Sequence, residues 1–169
     1  MGVIANIFYS DMGFDLKEIA TYSKSYGLVA TIAGGLLGGV ISIRYGVFKA
    51  LLIGAVLSAL TNILFALMVG LDKNHMILMA VISADNLSAG LAMASFVAYL
   101  SSLTNISFTA MQYAIFSSIM TLVPKIIAGY SGVISVTLGY EMFFYITALM
   151  GVPAIVLVIV LQKTVPVNA

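Results

Sequence analysis

The chain has 169 residues, 62% of them hydrophobic and 8% charged, with a net charge of +1 and a mean hydropathy of +1.16. A soluble domain carries about 25% charged residues, so a water-soluble globule is excluded, and the near-zero net charge gives no basis for nucleic-acid binding. Cysteine is absent, which removes disulfides and thiolate metal sites, and tryptophan is absent, which leaves interfacial anchoring to the tyrosines and the few basic residues.

Residues 1–10 are apolar but too short to cross a bilayer, which takes about 20 residues, and they lack the basic start and cleavage site of a signal peptide. They read as the tail of a helix whose beginning is missing. A polar turn follows from Asp11 to Lys17, in which Asp15 and Glu18 have the spacing of a capping box. Helices are then predicted over about 18–43, 47–70, 76–103, 107–136 and 142–161. They are separated by turns at Arg44–Gly46 and Leu71–His75, a break at Thr104–Ile106 and a turn at Leu138–Glu141, and Pro124 predicts a kink in the fourth. Together they make a single all-α transmembrane domain over 1–169, with five full spans and one partial N-terminal helix. Short loops make successive helices antiparallel neighbours. Arg44, Lys49 and Lys163 then fall on one side and Lys17, Lys73 and His75 on the other. The positive-inside rule leans toward a cytoplasmic C-terminus.

The first full helix is rich in glycine. Gly34, Gly35, Gly38 and Gly39 form two interleaved small-xxx-small pairs, and Gly27, Thr31, Gly34, Gly38 and Ser42 line one helix face. In water each such glycine costs a helix roughly 0.8–1 kcal/mol. In lipid the same glycines admit a neighbouring backbone, so this face is expected against another helix.

Polar residues inside spans are expensive and mark cavities or partners. Asp85 lies roughly 14 Å and Lys125 roughly 17 Å below the same outer surface, counting about 1.5 Å per residue, so the two are candidates for an ion pair or for one shared wet cavity. Lys125 also sits on a stripe of Ser118, Thr121, Gly129 and Gly132, expected to face protein or water. Asn86 adjoins Asp85, Asn62 lies about 12 Å below the outer surface, and Lys24 lies about one and a half turns into its helix. Lys24, Asn62, Asp85, Asn86, Gln112 and Lys125 are therefore the candidate substrate- or proton-coupling residues. Asn62 and Gln112 also suit plain interhelical hydrogen bonds, and Lys24 also suits snorkelling. A metal site is not indicated, since His75 has no second His or Cys beside it. No nucleophile with a partnering base, no nucleotide-binding loop and no cofactor site stands out, so an enzyme is not expected.

The segment Gly39-Val-Ile-Ser-Ile-Arg44-Tyr-Gly46, followed by Leu51, resembles the loop between the eighth and ninth helices of major facilitator transporters. More specifically, the chain resembles the C-terminal half of AmpG-type muropeptide permeases. The likeness is carried by Asp11-Met-Gly-Phe14, Lys24 with Gly27 and Ala30–Gly34, Lys49–Leu52, Ser58–Asn62, Asp85-Asn86 with Gly90, and Ser95–Ala98. Asn105, Ser107-Phe-Thr-Ala-Met-Gln-Tyr-Ala114 and Lys125 complete it. The resemblance implies an inner-membrane, proton-driven importer of anhydromuropeptides used in cell-wall recycling, built of two six-helix halves that rock about a midplane site. A eukaryotic branch carries acetyl-CoA. Lys24, Asp85 and Lys125 would supply its charged groups here, Gly39, Arg44 and Gly46 its gating loop, and Gly34, Gly35, Gly38, Gly39, Gly129 and Gly132 its helix packing.

Two departures stand out. Ile43 occupies a position where the fold often has Asp, and Val47 and Phe48 occupy positions where it often has basic residues. Against that family pattern the first half and most of helix seven are expected to lie outside this chain, so the partners implied are the lipid bilayer, an N-terminal half and a muropeptide-like small molecule. The alternatives are an inactive remnant of a permease and a membrane assembly module.

Overall fold

A computed structural model describes residues 2–103 and 109–164, and no strand occurs among them. The elements are α1 (Gly2–Asp11), α2 (Leu16–Ala20), a π-helical turn (Thr21–Tyr26), α3 (Gly27–Tyr45), α4 (Val47–Met68), α5 (His75–Leu103), α6 (Thr109–Gly129) and α7 (Ser131–Thr164). α2, the π-turn and α3 form one run, Leu16–Tyr45. This run, α4, α5, α6 and α7 are each long and apolar enough to cross a membrane. α1 has 10 residues, about 15 Å of helix, or about half the hydrocarbon core. The break predicted at Thr104–Ile106, the family-like residues from Asn105 to Phe108 and the polar tail beyond Thr164 lie outside the described residues.

The helix starts follow from side-chain chemistry. Asp15 Oδ1 accepts from the Leu16 N–H at 2.8 Å, and the Asp15 N–H donates to Glu18 Oε2 at 2.8 Å, completing the capping box that the spacing predicts. Asn74 Oδ1 accepts from the N–H groups of Met76 (2.9 Å) and Ile77 (3.3 Å) at the start of α5. One residue joins α3 to α4. Gly46 has φ 91° and ψ 153°, its N–H donates to the Ser42 carbonyl at 3.1 Å, and its own carbonyl accepts from Ala50 at 3.3 Å. That region is open essentially to glycine alone. Gly46→Ala is expected to destabilise the folded chain by about 1–3 kcal/mol, read as a lower unfolding temperature in detergent.

The helix predicted over about 107–136, with a kink at Pro124, is interrupted further along. At Tyr130 the N–H donates to the Ile127 carbonyl, three residues back, at 3.1 Å, and the ladder resumes with Ile134 donating to Tyr130 at 3.1 Å. Gly129 and Gly132 flank the break, where helix propensity is low. The next corner is at Gly139, with φ 79° and ψ 165° inside α7.

Neighbours in sequence are not always the main neighbours in space. α3 packs most extensively on α5, and α4 packs on α7 and α5, whereas α3 and α4 touch sparingly and α6 touches α5 and α7 least. The glycine face explains the first pairing. Gly27, Gly34, Gly38 and Ser42 are buried, and a Cβ at Gly34 would lie 2.0 Å from the Leu87 carbonyl oxygen, one at Gly38 2.6 Å from that of Leu91, and one at Gly90 2.2 Å from that of Thr31. α3 and α5 thus run parallel with their backbones in contact. A Cβ at Gly35 would lie 4.0 Å from the Gly90 carbonyl oxygen, whereas one at Gly39, Gly129 or Gly132 would meet nothing within 4 Å. At those last three positions no helix backbone comes as close among the described residues as it does at Gly34, Gly38 and Gly90.

Two apolar clusters close the ends. One joins α1, α4, α5 and α7 through Phe8, Phe65, Leu78, Ile82 and Phe144, with Phe65 stacked on Phe144 at 5.2 Å and 22°. The smaller one gathers Phe48, Leu51 and Val158 at the other end.

Candidate functional site

Two adjacent residues on α5 carry polar links to two different helices. Asp85 lies ten residues past His75, about 15 Å along the helix. Gly54 lets α4 come close to α5, since a Cβ there would lie 2.8 Å from Ala92 Cα. Seven residues further along α4, and seven back along antiparallel α5, Thr61 Oγ1 donates to Asp85 Oδ1 at 3.1 Å. On the other side, Thr31 Oγ1 of α3 lies 3.1 Å from Asn86 Oδ1, while Asn86 Nδ2 donates to the Ile82 carbonyl at 2.8 Å. Gly27 makes room there, because a Cβ would lie 3.1 Å from Asn86 Nδ2. Thr61, Ser88 and Ser95 are buried, and Asp85 and Asn86 are half-buried. Ser88 donates to the Asp85 backbone carbonyl at 2.8 Å. The result is a polar seam across α3, α5 and α4, more than a third of the way along α5 and well inside each span.

The other predicted residues lie apart from this seam. Asn62 Nδ2 donates to the Ser58 carbonyl at 3.0 Å, and Asn62 Oδ1 is buried without a partner among the described residues. Lys24 is exposed on the π-turn, Gln112 is half-buried on α6, and Lys125 is exposed on α6. Among the described residues the ion pairs are Glu18 with Lys73 and with His75. The Asp85–Lys125 pair that equal depth suggested is not made, since depth fixes position along an axis but not the direction a residue faces. An apolar crevice of about 490 Å³, walled by Ala55, Ala92, Phe96, Pro124, Ala154 and Leu157 among others, separates α6 from α4, α5 and α7. The stripe of Ser118, Thr121 and Lys125 is exposed rather than turned toward the rest of the bundle. In the predicted gating loop, Arg44 is exposed with its guanidinium 5.9 Å from the Tyr45 ring centre.

A second polar group, outside the apolar core, ties loops together. Glu18 accepts from Lys73 Nζ at 3.0 Å and contacts His75 Nε2 at 2.8 Å, and Lys73 also donates to the Gly13 carbonyl at 2.9 Å. His75 meets the Phe14 ring edge-on at 5.5 Å, and the Tyr140 hydroxyl donates to Asp11. The starts of α2 and α5 are therefore pinned together. Sequence reasoning missed Ser58 and Thr61 as site residues. The signal was present in Gly54, Ser58 and Thr61, which repeat at helical spacing on the face toward α5.

The family model described as Major Facilitator Superfamily matches residues 1–169. A Rickettsia felis protein that carries the name transporter AmpG 4 is 32% identical over 167 residues, covering 99% of this chain and 40% of the relative. A Rickettsia bellii protein named as transporter AmpG 1 is 32% identical over 163 residues, covering 96% and 40%. The anhydromuropeptide permease of Escherichia coli K12 is 30% identical over 164 residues, covering 97% and 33%. The chain thus spans between a third and two fifths of the length of these relatives.

Proposed function

The chain belongs to the major facilitator superfamily, and from that premise we propose that it is the C-terminal portion of a proton-coupled importer of anhydromuropeptides. The observation that carries this reading is the seam at Asp85 and Asn86, because a carboxylate deep within a span marks a place that handles an ion or a polar solute. Asp85 is the one acidic residue deep within a span, which makes it the candidate for the coupling proton. The names of the relatives supply the substrate class.

Lys125 supports the need for a partner. At the bilayer centre an exposed lysine costs about 2.5–3.5 kcal/mol on insertion scales, and this one has no partner among the described residues. A second half laid against the Ser118–Thr121–Lys125 face, with a wet substrate space between, removes that cost. Lys24 and Gln112 would line the same space, and the loop through Gly39, Arg44 and Gly46 would take part in gating. Arg44, Lys49 and Lys163 lie toward one end of the bundle, which in the bacterial inner membrane favours a cytoplasmic C-terminus.

The test is uptake of labelled anhydromuropeptide by cells lacking their own permease. Uptake is expected when the chain is co-expressed with an N-terminal half from an AmpG-type relative, and not with either part alone. Stable co-assembly on a native gel with no uptake would sink the transport reading and favour an inactive remnant.

A further inference from the structure

Thr61 and Asn62 lie about one turn along α4 from Ser58 and compete for its carbonyl. The Ser58 oxygen is reached by Thr61 Oγ1 at 3.0 Å and by Asn62 Nδ2 at 3.0 Å. As part of the continuous helix α4 (Val47–Met68) it also accepts the main-chain N–H four residues on. A carbonyl oxygen has two lone pairs, so three donors converge on two acceptor positions. The Thr61 hydroxyl is the donor with somewhere else to go, since Asp85 Oδ1 lies 3.1 Å away on α5. It carries one proton for two acceptors, and a carboxylate is the stronger of them.

Asn62 itself is paired on one side only. Its Nδ2 is satisfied by Ser58, while its Oδ1 is buried without a partner among the described residues. A leucine in its place would leave no such unmet acceptor, so the interaction through Nδ2 is what the residue contributes locally.

We propose that Asn62 and Thr61 are positioning residues for Asp85: the Asn62 amide occupies the Ser58 carbonyl and thereby commits the Thr61 hydroxyl to the Asp85 carboxylate. This deepens the reading of Asp85 as the coupling group and rests on it. Asn62 then has no direct contact with the transported species, and acts on the proton site through a main-chain oxygen and a neighbouring hydroxyl. The Thr61 hydroxyl also makes the α4–α5 tie depend on the state of Asp85, because the bond that crosses between the helices ends on that carboxyl group.

Infrared spectroscopy of the full chain in lipid vesicles tests this without transport. The Asp85 carboxyl band is identified by its loss in Asp85→Asn. Thr61→Val is expected to move that band, and Thr61→Ser, which keeps the hydroxyl, to restore it. Asn62→Leu is expected to move it in the same direction as Thr61→Val while leaving the unfolding temperature equal or higher, a combination that a purely structural role does not give. A band unmoved in Asn62→Leu, or moved alike in Thr61→Val and Thr61→Ser, overturns the proposal. If Asn62→Leu fails to fold, the two Thr61 variants decide. If the Asp85 band responds to Thr61 and Asn62 but shows no change on a pH step, the proton-coupling reading falls while the positioning chain stands.

Discussion

Gly34→Ala is expected to disrupt the bundle rather than perturb it. The new methyl would lie 2.0 Å from the Leu87 carbonyl oxygen and 2.8 Å from the Leu87 carbonyl carbon. Both are main-chain atoms within a helix, so no side-chain rotation relieves the clash and α3 must move away from α5. That movement also opens the contacts at Gly38 and Gly90 and stretches the 3.1 Å link between Thr31 and Asn86. Overpacking costs about 1–3 kcal/mol in adaptable cores and occasionally more, and this site belongs at or above the top of that range. Thermal unfolding in detergent measures it, with Gly39→Ala as control. A Cβ at Gly39 would meet nothing within 4 Å, so its replacement should leave stability unchanged or raise it by up to about 1 kcal/mol through helix propensity. Equal losses in the two variants would contradict the backbone contact between α3 and α5.

Asp85→Asn is expected to abolish gradient-driven accumulation by the assembled transporter while leaving the chain folded. The amide keeps the shape of the carboxylate and an oxygen able to accept from Thr61, so the α4–α5 tie at 3.1 Å can persist. It cannot take up or release a proton at working pH. Accumulation should fall to the level of cells without the transporter across the whole pH range. Full retention of pH-gradient-driven uptake would remove Asp85 from the coupling role.

The glycine face was legible from sequence because it rests on periodicity alone. Gly27, Thr31, Gly34, Gly38 and Ser42 repeat at three to four residues, and the residues buried along α3 are Gly27, Gly34, Gly38 and Ser42. The capping box at Asp15 and Glu18 was legible for a similar reason, since it is a local pattern satisfied within one turn. Asp85 and Asn86 stood out by residue type. Their partners did not, because threonine is common in spans and its bond to a distant helix depends on how two helices are rotated against each other. The same gap misplaced Lys125, whose depth could be counted from sequence while its facing direction could not. Gly129 and Gly132 looked like packing residues by spacing, yet they border the interruption at Tyr130, where local propensity outweighs the pattern.

The parallel course of α3 and α5 has a mechanical consequence. Their shared end is pinned where Glu18 holds Lys73 and His75, and their flanks interlock where glycines seat carbonyls of the opposite rod. Neither can slip lengthwise past the other, so the pair behaves as one thick strut. Asp85 and Asn86 ride on that strut, and α6 has the fewest ties to its neighbours among the described spans.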